Sequence, residues 1–136
     1  MELRTTRLLL RDFVEQDAER LAAYGSEAAP LVPMFIGWAA EVPRTRWQLA
    51  MVLDGSVIGT CGVRQDEADP AVLELGCELD PAYWGRGYAR EACSVLLALA
   101  PAEKRIVART TADNAAALRL ARDLGVAVMV ESTEER

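Results

Sequence analysis

A mixed α/β sheet with helices packed against it is the fold class this sequence predicts, and three observations predict it. Short apolar runs with β-compatible alternation are interleaved with segments of helical period. The dipeptide Asp54-Gly55 sits between two such runs and marks a tight hairpin. The order of elements, β-α-loop-β-β-β-α-β-α-β, places hairpin-type strands before a strand–helix–strand–helix run, which calls for one sheet with helices laid on it.

Residues 7–12 (RLLLRD) are short and apolar-centred, a first strand. Residues 14–24 follow as a helix with Leu21 and Ala22 or Ala23 on its apolar stripe, Asp17 or Asp12 as cap, and Gly25 as stop. Residues 26–46 hold Pro30, Pro33 and Pro43 without a clean period, and read as loop with one or two short helices. Residues 47–53 and 57–63 form the hairpin, the second strand carrying Gly59 and Gly62, which inside a strand signal a bulge or a close backbone approach. Residues 72–79 (VLELGCEL) alternate: Leu73, Leu75, Cys77 and Leu79 on one face, Glu74, Gly76 and Glu78 on the other. After a glycine-bearing turn, residues 88–100 space Ala89, Ala92, Cys93, Leu96, Leu97 and Ala100 along one helical face, and Pro101 ends the helix. Residues 106–110 make a strand, Asp113 or Asn114 caps a helix running to Leu124, Gly125 stops it, and residues 126–130 make a last strand. No repeat or linker divides the chain, so residues 1–130 read as one domain and 131–136 as a charged, disordered tail.

Composition excludes several functions. The chain has no histidine, and its three cysteines, Cys61, Cys77 and Cys93, form no CxxC pair. A thiol–imidazole nucleophile and the common zinc sites are therefore not expected, and the cysteines read as small buried hydrophobes. No metal site is expected. A net charge of −6 argues against nucleic acid as a partner and suits a cationic acceptor. No apolar stretch approaches the roughly 20 residues that cross a bilayer. No membrane partner is expected, and the cytoplasm is the expected location.

The chemistry-bearing feature is Trp84-Gly85-Arg86-Gly87-Tyr88-Ala89. A strand, a Gly-Arg-Gly turn and a helix start together expose backbone N–H groups that lack helical partners, at the positive end of the helix dipole. Glycine permits close approach of an anion, and Arg86 adds charge. It is neither a dinucleotide fingerprint, since a large residue and not glycine stands at the third glycine position, nor a Walker loop.

Residues 73–92, LELGCELDPAYWGRGYAREA, resemble the cofactor segment of the GNAT acyltransferase superfamily in its RimJ/RimL-like branch. Two further blocks agree in order: RTTRLLLR at 4–11 resembles the opening strand of that branch, and Asp113-Asn114-Ala115 through Leu124-Gly125 resembles its later helix. The resemblance implies a mostly antiparallel sheet whose central parallel strands splay, with helices on both faces and acetyl-CoA in the V between residues 72–79 and 106–110. It implies backbone contacts to the pantetheine arm from Cys77, Glu78 and Leu79. The pyrophosphate would take the N–H groups of Arg86, Gly87, Tyr88 and Ala89. Asn114 matches a family asparagine that contacts the cofactor arm, and it also suits an N-cap.

The implied reaction is direct acetyl transfer to a primary amine, on a small molecule or a protein N-terminus, through a ternary complex. With no histidine, a carboxylate acting directly or through water is the natural base. Glu74 matches the family's strand glutamate and is the first choice, Glu78 the second; an exposed polar strand face explains both equally well. Trp84 stands where many relatives carry Gln or Arg and is expected to pack beside the turn. Trp38 is expected either in the acceptor wall or in the core. Three departures stand out: Ala117 for the usual Ser, Val126 for the usual Phe, and few residues after the last helix, with no tyrosine there to serve as general acid. A missing last strand would leave a sheet edge open to a second copy. The alternative reading is a non-catalytic acyl-CoA-binding or interaction module.

Overall fold

The computed structural model describes residues 1–131. The strands are β1 (Glu2–Arg4), β2 (Leu9–Asp12), β3 (Arg46–Leu53), β4 (Ser56–Gln65), β5 (Val72–Leu79), β6 (Arg105–Thr111) and β7 (Ala127–Glu131). The helices are α1 (Asp17–Ala23), α2 (Val32–Ala39), α3 (Tyr88–Leu99) and α4 (Ala115–Leu124). All strands join one sheet in chain order, antiparallel from β1 to β5 and parallel for β5–β6 and β6–β7. The mixed, mostly antiparallel sheet therefore carries its parallel pairs at one side.

Helices cover both faces. On one, α3 and α4 set Ala92, Cys93, Leu96 and Ala121 against Leu10, Leu49, Met51, Ile58, Cys61 and Leu75. On the other, α1 and α2 set Leu21, Val32, Phe35 and Trp38 against Phe13, Ala50, Val52 and Val57. Trp38 is thus a core residue, its ring tilted against that of Phe35 with centres 5.4 Å apart. The α3 side follows from the helical spacing of its apolar residues. The α2 side does not, because VPMFIGWA is apolar on every side of the helix and hides its period.

Several sequence expectations shift. The opening strand begins at Leu9, and a three-residue strand before it, β1, forms a hairpin with it through Glu2↔Arg11 and Arg4↔Leu9. Neither Asp12 nor Asp17 caps α1 from its N-cap position, which Gln16 fills without a side-chain bond. Both carboxylates go to arginines instead: Asp12 to Arg44 at 2.7 Å and Asp17 to Arg11 at 2.8 Å. The last strand runs one residue into the expected tail, to Glu131, and the rest of the tail lies outside the described residues. β7 is an edge strand with Val130 exposed.

Gly59 fixes how β4 meets the functional strand. A Cβ there would run into the backbone carbonyl of Glu78 and reach Leu79 Cα at 3.0 Å, so only glycine lets the two strands pair this closely.

Candidate active site

β5 and β6 pair only through Val72–Leu75 and Arg105–Ala108. Beyond Leu75 they separate: β6 continues against β7 to Thr111, while β5 continues against β4 to Leu79. The result is a V whose apex lies at Leu75 and Ala108. One arm, residues 76–79 of β5, leaves its backbone edge toward β6 without a strand partner. Cys77 and Glu78 both lie on this arm. Leu79 does too, and its carbonyl accepts the Trp84 indole N–H at 2.8 Å. Trp84 itself is exposed, packing at the strand end beside the turn.

At the open end the chain makes its glycine turn. Gly85 and Gly87 take φ of 76° and 82°, the left-handed region, and Gly87 is the N-cap of α3. The backbone N–H groups of residues 85–90, which include Arg86, Gly87, Tyr88 and Ala89, donate to no backbone or side-chain acceptor among the described residues. The Arg86 guanidinium lies 5.8 Å from the Tyr83 ring centre, and the buried Tyr88 ring meets Tyr83 edge-on at 6.3 Å. Glu91, in the first turn of α3, accepts from the Thr5 hydroxyl and from the Arg7 backbone N–H and Nε, both at 2.7 Å. Burial alone would raise the Glu91 carboxyl, but Thr5 and Arg7 outweigh it and hold it below its usual range. This pins the β1–β2 hairpin to the helix start and lays the Arg7 guanidinium over Tyr88 at 4.2 Å.

The two strand glutamates have different surroundings. Glu74, at the closed end, accepts from Arg64 Nη2 at 3.3 Å and Arg109 Nε at 3.2 Å, and Arg109 also reaches Asp66. Glu78, on the open arm, accepts from the Tyr24 phenol at 2.6 Å and from the Ser26 hydroxyl. Burial, then the neighbouring Glu78 carboxylate, pushes the Tyr24 phenol well above its ordinary value, so it stays a donor. Sequence spacing could not have singled out Tyr24 and Ser26, which lie more than fifty residues from their partner. Next to Glu78, Asp80 pairs with Arg20 at 2.8 Å, which holds its carboxyl below the usual range, and accepts from Ala82 N–H at 3.0 Å.

Asn114 caps α4, its Oδ1 accepting from Ala117 N–H at 3.1 Å, and its amide NH2 donates to nothing among the described residues. The Cys77 thiol turns to the core, 4.0 Å from Met51 Sδ; a hydrogen bond with Cys93, then burial, raises it well above its ordinary value. Cys61 is fully buried and raised by burial first. These thiols are packed groups and not nucleophiles.

A family profile described as "Acetyltransferase (GNAT) domain" matches residues 7–127. The chain belongs to the GNAT acetyltransferase family. An uncharacterized N-acetyltransferase p20 of Bacillus licheniformis is 30% identical over 112 residues, covering 70% of this chain and 63% of that protein. The chain thus spans less than two thirds of that relative's length. A GNAT-family acetyltransferase structure from Bordetella pertussis superposes with a TM-score of 0.70 at 25% identity, covering 91% of this chain and 87% of that one. RimL, a ribosomal-protein alpha-N-acetyltransferase solved with coenzyme A, shares the fold with a TM-score of 0.69 at 17% identity, covering 91% and 82%.

Two other features of this GNAT domain stand apart from the V. An apolar cavity of about 140 Å³, lined by Leu73, Leu96, Leu99 and Pro101 among others, opens at the far end of α3 from the glycine turn. Among the described residues no helix is long and apolar enough to cross a membrane, and no cluster of histidine, cysteine or carboxylate side chains has the arrangement of a metal site.

Proposed function

We propose that this domain transfers the acetyl group of acetyl-CoA directly to a primary amine, in a ternary complex and in the cytoplasm, along the RimJ/RimL-like line. The observation that carries this reading is the V itself: an edge at residues 76–79 without a strand partner, leading to six backbone N–H groups without acceptors among the described residues. An extended amide-bearing arm suits the first, and a pyrophosphate suits the second. In this reading Cys77, Glu78 and Leu79 offer backbone to the arm, Arg86, Gly87, Tyr88 and Ala89 hold the pyrophosphate, and the free amide of Asn114 reaches the arm from β6's side. Relatives crystallised with coenzyme A or acetyl-CoA support the cofactor by analogy.

Acetyl-CoA supplies the activated acyl group. The acceptor ammonium loses a proton, its nitrogen forms the C–N bond as the C–S bond breaks, and the departing thiolate takes up a proton. Of the two glutamates, Glu78 suits the proton-accepting role better than Glu74. Glu74 is engaged by two guanidiniums, whereas Glu78 has only hydroxyl donors and sits on the open arm. In this reading Glu78 becomes the first choice for the base and Glu74 the second. Asp80 is committed to Arg20 and does not compete.

Thermal unfolding with and without acetyl-CoA tests binding first, because a ligand taken up by the native state alone raises the midpoint. A rise of a few degrees at saturating acetyl-CoA is expected. Thiol release across amines and basic peptides then tests transfer, and release with at least one acceptor is expected. A thermal shift without release on any acceptor would favour a non-catalytic acyl-CoA module.

A further inference from the structure

Around the α1 side of β5 there are three carboxylates, and they differ in what neutralises them. Glu74 has Arg64 and Arg109, and Asp80 has Arg20. Glu78 lies between them on the same strand region, is partly buried, and makes no ion pair among the described residues. Its donors are two neutral hydroxyls, both from the turn after α1. A partly desolvated carboxylate without a counter-charge is costly, and two donors leave about half of its lone-pair sites free.

Among the described residues the neighbouring groups supply no cation. Arg20 lies 5.3 Å from the Tyr24 ring centre but spends its Nη2 on Asp80. Thr60, directly across on β4, donates to the Leu49 carbonyl and accepts from the Gln48 amide. Cys77 points to the opposite face with its thiol protonated. Ser26 accepts from Ala28 N–H at 3.1 Å, which leaves its hydroxyl hydrogen for Glu78.

We propose that Tyr24 and Ser26 are positioning residues that fix the Glu78 side chain at the open arm of the V, and that the cation this carboxylate takes is the ammonium of the acceptor. The substrate class is thereby narrowed to amines that arrive charged, and neutral nucleophiles are disfavoured. The proposal rests on the acetyl-transfer reading above. A compact ammonium brings three donors and one full charge to an acceptor-only group, whereas a neutral nucleophile leaves the carboxylate unbalanced.

The test is steady-state thiol release by the full chain at pH 8 with ethanolamine and spermidine, which are charged there, and with hydroxylamine as an acceptor that is neutral. For Tyr24→Phe, the acceptor KM for the charged amines should rise about tenfold, the size of one hydrogen bond to a charge, with the acetyl-CoA KM unchanged. The preference for charged amines over hydroxylamine should fall by the same factor, because hydroxylamine should be nearly unaffected. Ser26→Ala should behave alike and serves if Tyr24→Phe fails to fold, and Ser26→Thr should restore the wild-type profile. A merely structural role would lower turnover equally for both acceptor classes, and that result overturns the proposal. If wild-type protein shows neither an acetyl-CoA thermal shift nor release with any acceptor, the acetyl-transfer reading falls with it. A retained shift and retained release with an unchanged preference between the two acceptor classes removes this proposal alone.

Discussion

The closed and open ends of the β5–β6 V present the same residue type on the same face of one strand, four residues apart, in opposite settings. At the closed end Glu74 is bound by two guanidiniums, outside the apolar cluster that α1 and α2 make on that sheet face. At the open end Glu78 is met by a phenol and a hydroxyl from the turn after α1. The difference lies in the partner elements and not in the strand. Where β4 and β6 flank β5, their long basic side chains reach across; where the strands splay, there is no β6 neighbour, and α1 supplies the contact. A carboxylate clamped by cations is a structural ion pair, whereas one held only by neutral donors keeps its charge for something that arrives.

The largest effect should separate these two ends. Glu78→Gln is expected to lower kcat/KM for a verified amine about a thousandfold, within the range for loss of a general base, while leaving the acetyl-CoA thermal shift intact. Glu74→Gln should change kcat/KM by less than about threefold, because its role is an exposed ion pair. The comparison breaks if both glutamine variants turn over equally well, or if the order is reversed.

Much of this contrast was unreadable beforehand, for a physical reason. The strand at 72–79 and its two faces follow from period-two alternation, and the glycine turn follows from its composition and position before an amphipathic helix. The identity of a carboxylate's partner does not follow from either. Tyr24 and Ser26 reach Glu78, and Thr5 and Arg7 reach Glu91, only because the sheet brings distant segments together. Local rules also lost to tertiary ones at Asp12 and Asp17, which look like helix caps but pair with Arg44 and Arg11. β1 escaped notice because three residues, Glu-Leu-Arg, carry too little pattern to mark a strand. α2 escaped precise placement because it is apolar all round, yet it supplies Val32, Phe35 and Trp38 to the core.

Asp17 extends the comparison to a carboxylate that is both clamped and buried. It is 6% exposed, accepts from Arg11 Nη1 and Nη2 at 2.8 and 3.0 Å, and takes the Val14 N–H at 2.8 Å. Burial alone would raise its carboxyl; the Arg11 and Val14 donors outweigh burial and hold it below the usual range. Asp17→Asn should therefore cost about 2 kcal/mol of unfolding free energy near neutral pH, since it leaves a partly buried guanidinium without its counter-charge. A carboxyl with a lowered folded value contributes stability that is complete above its unfolded value of about 4 and is lost as pH falls through the folded value. Urea unfolding at pH 7 and pH 3 should accordingly show a large gap between wild type and Asp17→Asn that narrows in acid. A gap independent of pH would mean that packing, and not charge, sets the effect.

The smallest expected effect tests the closed end from its cationic side. Arg64 reaches Glu74 at 3.3 Å and its side chain is 47% exposed, so solvent and salt screen the pair, and Arg109 remains to hold Glu74 if Arg64 is lost. Arg64→Met should lower stability by no more than about 0.5 kcal/mol, and a double-mutant cycle with Glu74→Gln should give a coupling of that size that fades in high salt. Turnover on charged amines should stay at the wild-type level. A tenfold loss of kcat/KM in Arg64→Met at unchanged stability would mean that the arginine holds Glu74 for the reaction and not for the fold. The proton-handling role would then return to the closed end, and the hydroxyls at Glu78 would be left as a latch between α1 and the sheet.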